Sequence, residues 1–195
     1  MEKVISAVNF AAIAHRNQRR KNGEATPYIN HPIEVMYLLS RAGVVDPDIL
    51  AGAVLHDTIE DCGVTYEQIR EEFGQNVADF VQECSDNKSL PKVERKKQQI
   101  EHAKTISVGA KLIKLADKLS NISGLDDSPP VSWSVEEVNG YITWSYAVYL
   151  GLKGYNIELD TQLEKIFSKR ALLDVCEKDL DHMLELYYDK IRGCR

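Results

Sequence analysis

The sequence predicts an all-α fold, a single-domain bundle of many helices, and three observations carry that expectation. No segment shows the strict apolar/polar alternation of a half-buried strand, and no internal repeat or low-complexity stretch stands out. Helix start and stop signals recur: Asp46-Pro47 as N-cap and first residue, capping boxes at Thr65-Tyr66-Glu67-Gln68 and Ser134-Val135-Glu136-Glu137, and glycine stops at Gly43 and Gly63. Two helical runs are buried by composition. Ile49-Leu50-Ala51-Gly52-Ala53-Val54-Leu55 is apolar on every side, and residues 109–122 put Leu112, Leu115, Ala116, Leu119 and Ile122 on one inner side.

In chain order, residues 2–18 place Val4, Ile5, Val8, Ala11, Ala12 and Ala14 at the spacing of a helix with one buried face. His15, near its end, has no ligand-like partner at a suitable interval and reads as a packing residue. Arg19-Arg20-Lys21-Asn22-Gly23 supplies three cations and a turn, and Thr26-Pro27-Tyr28-Ile29-Asn30-His31-Pro32 is extended and bounded by prolines. Pro32 pushes His31 out of the helical region and opens a helix running to Arg41. The helix launched at Asp46-Pro47 continues through the apolar run to Asp61. A short helix follows to about Phe73, and Val77, Phe80, Val81 and Cys84 mark the next. Residues 85–104, with Lys88, Lys92, Arg95, Lys96 and Lys97, read as an exposed loop leading into a solvated helix. After the buried helix at 109–122 come the Asp126-Asp127-Ser128-Pro129-Pro130 loop and a helix rich in aromatics, through Tyr141, Trp144, Tyr146 and Tyr149. Helices over 160–170 and 171–191 finish the chain.

Chemistry concentrates where acids interrupt these buried runs. His56-Asp57-Thr58-Ile59-Glu60-Asp61 follows the first run directly, and a continuing helix puts Glu60 one turn beyond His56, with Asp61 over Asp57. In the second run Asp117 stands with Lys114 and Asn121 one turn to either side. Ionised carboxylates beside a core need a positive partner, and a divalent cation is the simplest. His31, His56, Asp57 and Asp117 form a mixed nitrogen and oxygen donor set that suits one Mn²⁺, Zn²⁺ or Fe²⁺ ion. Glu60 and Asp61 are then placed as catalytic acids that take a proton from an attacking water or orient it. Arg19, Arg20, Lys21, Lys92, Lys111, Lys114 and Lys118 are expected to line the pocket, which implies a compact polyanion such as a phosphorylated nucleotide.

Composition narrows the class. Lys and Arg number 24 against 30 Asp and Glu, a net charge of −6, which argues against a general nucleic-acid binder. No apolar stretch is long enough to span a membrane and the start lacks a secretory signal pattern, so a cytoplasmic location is expected. Cys62, Cys84, Cys176 and Cys194 lie far apart with no Cys-x-x-Cys, and are expected as reduced thiols. Oligomeric state is left open.

The spacing His31, then His56-Asp57, then Asp117 resembles the H…HD…D pattern of HD metal-dependent phosphohydrolases. Arg19-Arg20-Lys21, Thr26 to Pro32, His56 to Asp61 and Lys114-Leu115-Ala116-Asp117-Lys118-Leu119-Ser120-Asn121 are similar to the hydrolase domain of the RelA/SpoT family over residues 2–170. Asp86-Asn87-Lys88-Ser89-Leu90-Pro91-Lys92 extends the likeness to its stand-alone, animal-type small alarmone hydrolases. The resemblance implies a hydrolase domain at 1–170, with 171–195 as a C-terminal helical extension packed on it or continuing it. It implies Mn²⁺-dependent hydrolysis of guanosine 3′,5′-bis(diphosphate), ppGpp, to GDP and pyrophosphate, with Arg20 and Lys21 on the nucleotide, Asn121 on ribose or phosphate, and Tyr141 in the pocket wall. Removal of the 2′-phosphate of NADPH is an alternative at the same site. A non-catalytic nucleotide-binding module is a further alternative; it would keep the basic pocket and lose the proton-handling acids, and both Glu60 and Asp61 are present.

Overall fold

The structure, a computed structural model, describes residues 1–192. Its helices are α1 (Glu2–Ala14), α2 (Asn30–Arg41), α3 (Pro47–Leu55), α4 (Thr58–Cys62), α5 (Tyr66–Phe73), α6 (Gln75–Cys84), α7 (Lys92–Ala103), α8 (Val108–Ile122), α9 (Val135–Leu150), α10 (Ile157–Ser168) and α11 (Glu177–Arg192), with a short 3-10 turn at Leu172–Asp174. Among the described residues the one β-type pairing is an isolated bridge between Arg19 and Pro27. The all-α expectation therefore holds.

Helix α3 divides two apolar clusters. Ala51, Val54 and Leu55 face Ala7 and Ala11 of α1 and the α5–α6 hairpin, whereas Ala53 faces the larger cluster built from α2, α8, α9, α10 and α11. A helix sandwiched in this way must be apolar all round, which is why its sequence carries no polar face. Helices α2 and α3 both lie against α8, so α8 is the floor on which residues from the first half of the chain meet.

Helix boundaries follow the caps where caps exist. The Asp46 carboxylate accepts from the Asp48 amide at 2.8 Å. Thr65 and Ser134 form full capping boxes with Gln68 and Glu137. Gly63, in the left-handed region at φ 69°, ends α4 where a residue with a Cβ would be strained.

Four expectations need correction. Helix α1 stops at Ala14 rather than 18, because residues 15–28 turn back on themselves: the Tyr28 amide donates to Gln18 O and the Arg20 amide to Thr26 O. His31 lies inside α2, not before it. Amides of a helix's first turn have no intrahelical acceptor, so Pro32 costs α2 no bond and is tolerated as its third residue. Residues 92–103 are not a solvated helix, since α7 buries Val93, Lys96 and Ala103 against α9 and α11. The segment from 171 does not start as a helix: Ala171 takes φ 54° and only the 3-10 turn precedes Glu177. Helix α11 then lies along α9 and touches α7. Cys62, Cys84 and Cys176 are free thiols, and Cys194 lies outside the described residues.

Candidate active site

The helix expected to run from Pro47 to Asp61 breaks at His56-Asp57, and the break builds the site. In a continuous helix two consecutive side chains point about 100° apart. Here Asp57 takes φ −99°, ψ −1°, and α4 restarts at Thr58. Side chains satisfy the carbonyls at the break: His56 Nδ1 meets Ala53 O at 2.8 Å and Thr58 Oγ1 donates to Leu55 O at 2.7 Å. His56 and Asp57 can thus reach one point, with His56 Nε2 3.1 Å from Asp57 Oδ2.

The other two donors come from α2 and α8. His31 Nε2 lies 3.2 Å from Asp117 Oδ1 and 3.8 Å from Asp57 Oδ2, and His56 Nε2 lies 3.7 Å from Asp117 Oδ1. Ligands held about 2.0–2.2 Å from one ion stand roughly 3–3.5 Å apart, so this spacing fits a shared centre. His56 Nε2 is buried and makes no hydrogen bond, despite the nearby carboxylate: an unpartnered nitrogen on the wall of the cavity. His31, His56 and Asp117 each bring one ligand atom within 4.8 Å of the others and can together hold a divalent cation, with Asp57 Oδ2 beside both histidines.

Surrounding bonds fix the donors. Ser120 Oγ donates to Glu34 Oε2 at 2.8 Å, so its oxygen accepts from His31 Nδ1–H at 2.9 Å, which leaves His31 Nε2 as the bare nitrogen. Ala53 O fixes His56 in the same tautomer. Burial lowers the proton affinity of His56, but the Asp57 and Asp117 carboxylates outweigh it and hold its pKa up at about 10. Burial pushes both aspartates up, and the positive partners around them bring each well below the ordinary carboxylate range. The cluster is a strong receptor for positive charge, whether proton or metal.

Glu60 and Asp61, expected to act together, face different spaces, because one residue of helix turns them apart. Glu60 lines the cavity of about 200 Å³ that contains the four donors. Its Oε2 accepts from the Asp86 amide at 3.0 Å, and Lys88 and Arg95 stand 3.9 Å from Oε1, beyond hydrogen-bond reach. Burial, more than the negative charge of Asp86 and Asp57, raises the Glu60 carboxyl above its usual value. Asp61 lines a second, larger cavity of about 560 Å³, where Gln18 Nε2 donates to it at 2.8 Å and Lys88 pairs with it.

The two cavities share Tyr28, Asn121 and Tyr141. Arg20 and Lys21 line the larger one, and both Arg20 terminal nitrogens reach Asn121 Oδ1, at 3.3 and 3.4 Å, while Asn121 Nδ2 donates to Asp117 Oδ1 at 2.6 Å. Lys114 and Lys118 line the smaller one. Two expected cations are elsewhere. Lys92 is the exposed first residue of α7 and lines neither cavity. Lys111 is tied to Lys104 O and Gly151 O, remote from the donors.

Sequence reasoning assigned no role to Tyr28, whose hydroxyl donates to Asp57 Oδ2 at 2.6 Å, to Ser120, or to Lys96, which lines the donor cavity. Tyr28 belongs to the Thr26 to Pro32 stretch that carries His31, and Ser120 follows Asp117 by three residues on α8. The lysine was hidden in a run of cations.

This fold and site define an HD domain protein: the model of the HD domain family matches residues 7–140, and the chain belongs to that family. Within it, the chain is 46% identical over 170 residues to the guanosine-3′,5′-bis(diphosphate) 3′-pyrophosphohydrolase MESH1 of Danio rerio, covering 87% of this chain and 94% of that protein. It is likewise 46% identical to MESH1 of Homo sapiens over 171 residues, covering 87% and 96%. A solved structure of a metazoan ortholog of SpoT, described as hydrolysing ppGpp, superimposes with a TM-score of 0.85 at 42% identity, over 88% of this chain and 97% of that one.

Proposed function

We propose that this chain is a cytoplasmic, Mn²⁺-dependent hydrolase that removes the 3′-pyrophosphate of ppGpp, giving GDP and pyrophosphate. The observation that carries the reading is the convergence of His31, His56, Asp57 and Asp117 in a cavity that opens, past Tyr28, Asn121 and Tyr141, into a larger one bearing Arg20 and Lys21. Relatives named for this reaction, 46% identical over most of the chain, support the choice of substrate.

A divalent ion held by the four donors supplies Lewis acidity toward a phosphoryl oxygen and toward water. The chain's own residues do the rest. Glu60 Oε1, the oxygen not committed to the Asp86 amide, takes the proton of the water that attacks phosphorus, and its raised proton affinity suits a general base working near neutrality. Lys114 and Lys118, on the wall of the donor cavity, offset the charge that builds on the transferring group. Arg20 and Lys21 hold the nucleotide in the larger cavity, with Asn121 between nucleotide and donors and Tyr141 closing the wall. Asp61 orients Gln18 and Lys88 at the rim.

The test is turnover of ppGpp with Mn²⁺ present, followed as release of GDP and pyrophosphate, by the natural chain and by Glu60→Ala with metal content checked. The natural chain is expected to release both products and Glu60→Ala to lose nearly all turnover while keeping its metal; equal rates would remove Glu60 from its role. NADPH run in parallel decides between substrates, and faster phosphate release from it than from ppGpp would move the reading to the 2′-phosphatase. Tight ppGpp binding with no turnover would leave the non-catalytic module.

A further inference from the structure

Lys96 is a buried lysine on the wall of the donor cavity, and burial, with the positive charges of Lys118 and Lys92 nearby, holds its proton affinity well below the usual lysine range. Its ammonium lies 3.4 Å from the ring centre of Trp144, 4.7 Å from Tyr141 and 5.3 Å from Tyr187. Among the described residues no carboxylate comes within ion-pair distance of it, whereas its neighbour Lys118 is paired with Asp117 at 3.2 Å. Three aromatic faces offset part of the cost of burying a cation, but they do not neutralise it. A buried amine with no anionic partner, facing a polar cavity, is a receptor for an anion, whose charge would hold the amine in its protonated form.

The cage draws on two helices. Tyr141 and Trp144 belong to α9 and Tyr187 to α11, and all three lie beyond the residues matched by the HD domain model. Tyr187 is set tightly: it lies on Gly140 of α9, where any Cβ would overlap the ring, and Lys97 Nζ pairs with Glu185 Oε1 at 3.1 Å, which ties α7 to α11. The third face of the cage is therefore placed by how α11 crosses α9 and α7.

We propose that Lys96 binds the phosphoryl oxygens of the departing pyrophosphate, and that Tyr187 of α11 is a positioning residue that fixes where that ammonium stands. The assignment rests on the pyrophosphohydrolase reading and names the group that holds the pyrophosphate formed as the water oxygen bonds to phosphorus and the bond from phosphorus to the ribose 3′-oxygen breaks, that oxygen leaving on GDP and taking a proton from solvent. It also gives α11 a part in the site.

The probe is inorganic pyrophosphate, titrated by calorimetry into the full chain loaded with divalent metal, with GDP as the comparison ligand. Lys96→Met keeps an unbranched apolar stem against the rings and removes the buried charge, so it is expected to fold. It should weaken pyrophosphate binding about ten- to a hundredfold, the worth of a charged hydrogen bond, and leave GDP binding as it was. Lys96→Arg should recover most of the loss. Tyr187→Leu should weaken pyrophosphate several-fold more than Tyr187→Phe, since the ring face and not the hydroxyl holds the ammonium. Pyrophosphate binding by Lys96→Met equal to that of the natural chain would overturn the assignment to Lys96, and equal effects of the two Tyr187 variants would overturn that to α11. If the natural chain fails to cleave ppGpp, the proposed function falls, and Lys96 is still judged by pyrophosphate binding alone.

Discussion

The Tyr28 hydroxyl donates to Asp57 Oδ2 at 2.6 Å, the same oxygen that stands 3.1 Å from His56 Nε2. The bond orients the carboxylate from the loop side, while the break after Leu55 orients it from the helix side. Bonds of this kind to a metal-ligating group are worth about ten- to a hundredfold in metal affinity. Tyr28→Phe keeps the ring packed between His15, at 4.9 Å, and His31, at 5.8 Å, so the fold is expected to persist. The expected result is weaker metal binding by about that factor in competition with a chelator, at an unchanged melting temperature. Affinity equal to that of the natural chain would show the hydroxyl to be idle.

His56, Asp57 and Asp117 were legible in the sequence because each is a polar interruption next to an apolar helical run, and such interruptions need a partner; His31 stood out only through its place between Asn30 and Pro32 at a helix start. Their geometry was not. The break at His56-Asp57, held by side chains capturing the Ala53 and Leu55 carbonyls, brings those two donors to one point, and the turn of one residue along α4 then gives Glu60 and Asp61 to different cavities. Lys96 and Lys111 show the same limit. Helical spacing alone does not tell a solvated lysine from one stacked on Trp144 or one tied to Gly151 O, because the deciding groups lie 40 or more residues away in the chain.

Glu60 should set the acid side of the pH profile. Burial and the nearby carboxylates raise its pKa, and a general base works only when ionised, so activity should rise with pH through that raised value. Asp86 contributes negative charge there, while its backbone amide holds Glu60 Oε2. Asp86→Asn keeps the amide and an acceptor for Gln99, which now donates to Asp86 Oδ2 at 2.5 Å. Removing the charge should move the acid limb of kcat/KM to lower pH. A limb that stays in place or moves upward would exclude Glu60 as the titrating base.

Metal removal should leave a characteristic dependence of stability on pH. In the metal-free chain His56 has its pKa raised from 6.5 to about 10, so its contribution is fully present below 6.5 and is lost as pH rises toward 10. Asp57 and Asp117 are lowered from 3.8, so theirs is present above that value and is lost as pH falls below it. Melting temperatures of chelator-treated protein are therefore expected to be highest between these limits and to decline from pH 6.5 to 10. Loading with Mn²⁺ should flatten that decline, because the ion takes the place of the proton and binds the deprotonated donors. A metal-free curve that is level across the alkaline range would contradict the coupling of His56 to the two carboxylates.

Gly140 offers the sharpest test of how α11 is held. It sits on α9, one residue before Tyr141, and a Cβ there would overlap the Tyr187 ring. Gly140→Ala would ordinarily favour a helix interior by about 1 kcal/mol. Against that, Tyr187 is buried in the larger core with Tyr188 and Ile191, so α11 cannot yield without disturbing its packing, and overfilling such a contact costs about 1–3 kcal/mol. The second effect should win. The variant is expected to melt several degrees lower, with the loss confined to α9–α11, while Gly124→Ala, where an added Cβ meets nothing within 4 Å, shows no comparable loss. A Gly140→Ala chain as stable as the natural one would mean that α11 can slide on α9 freely.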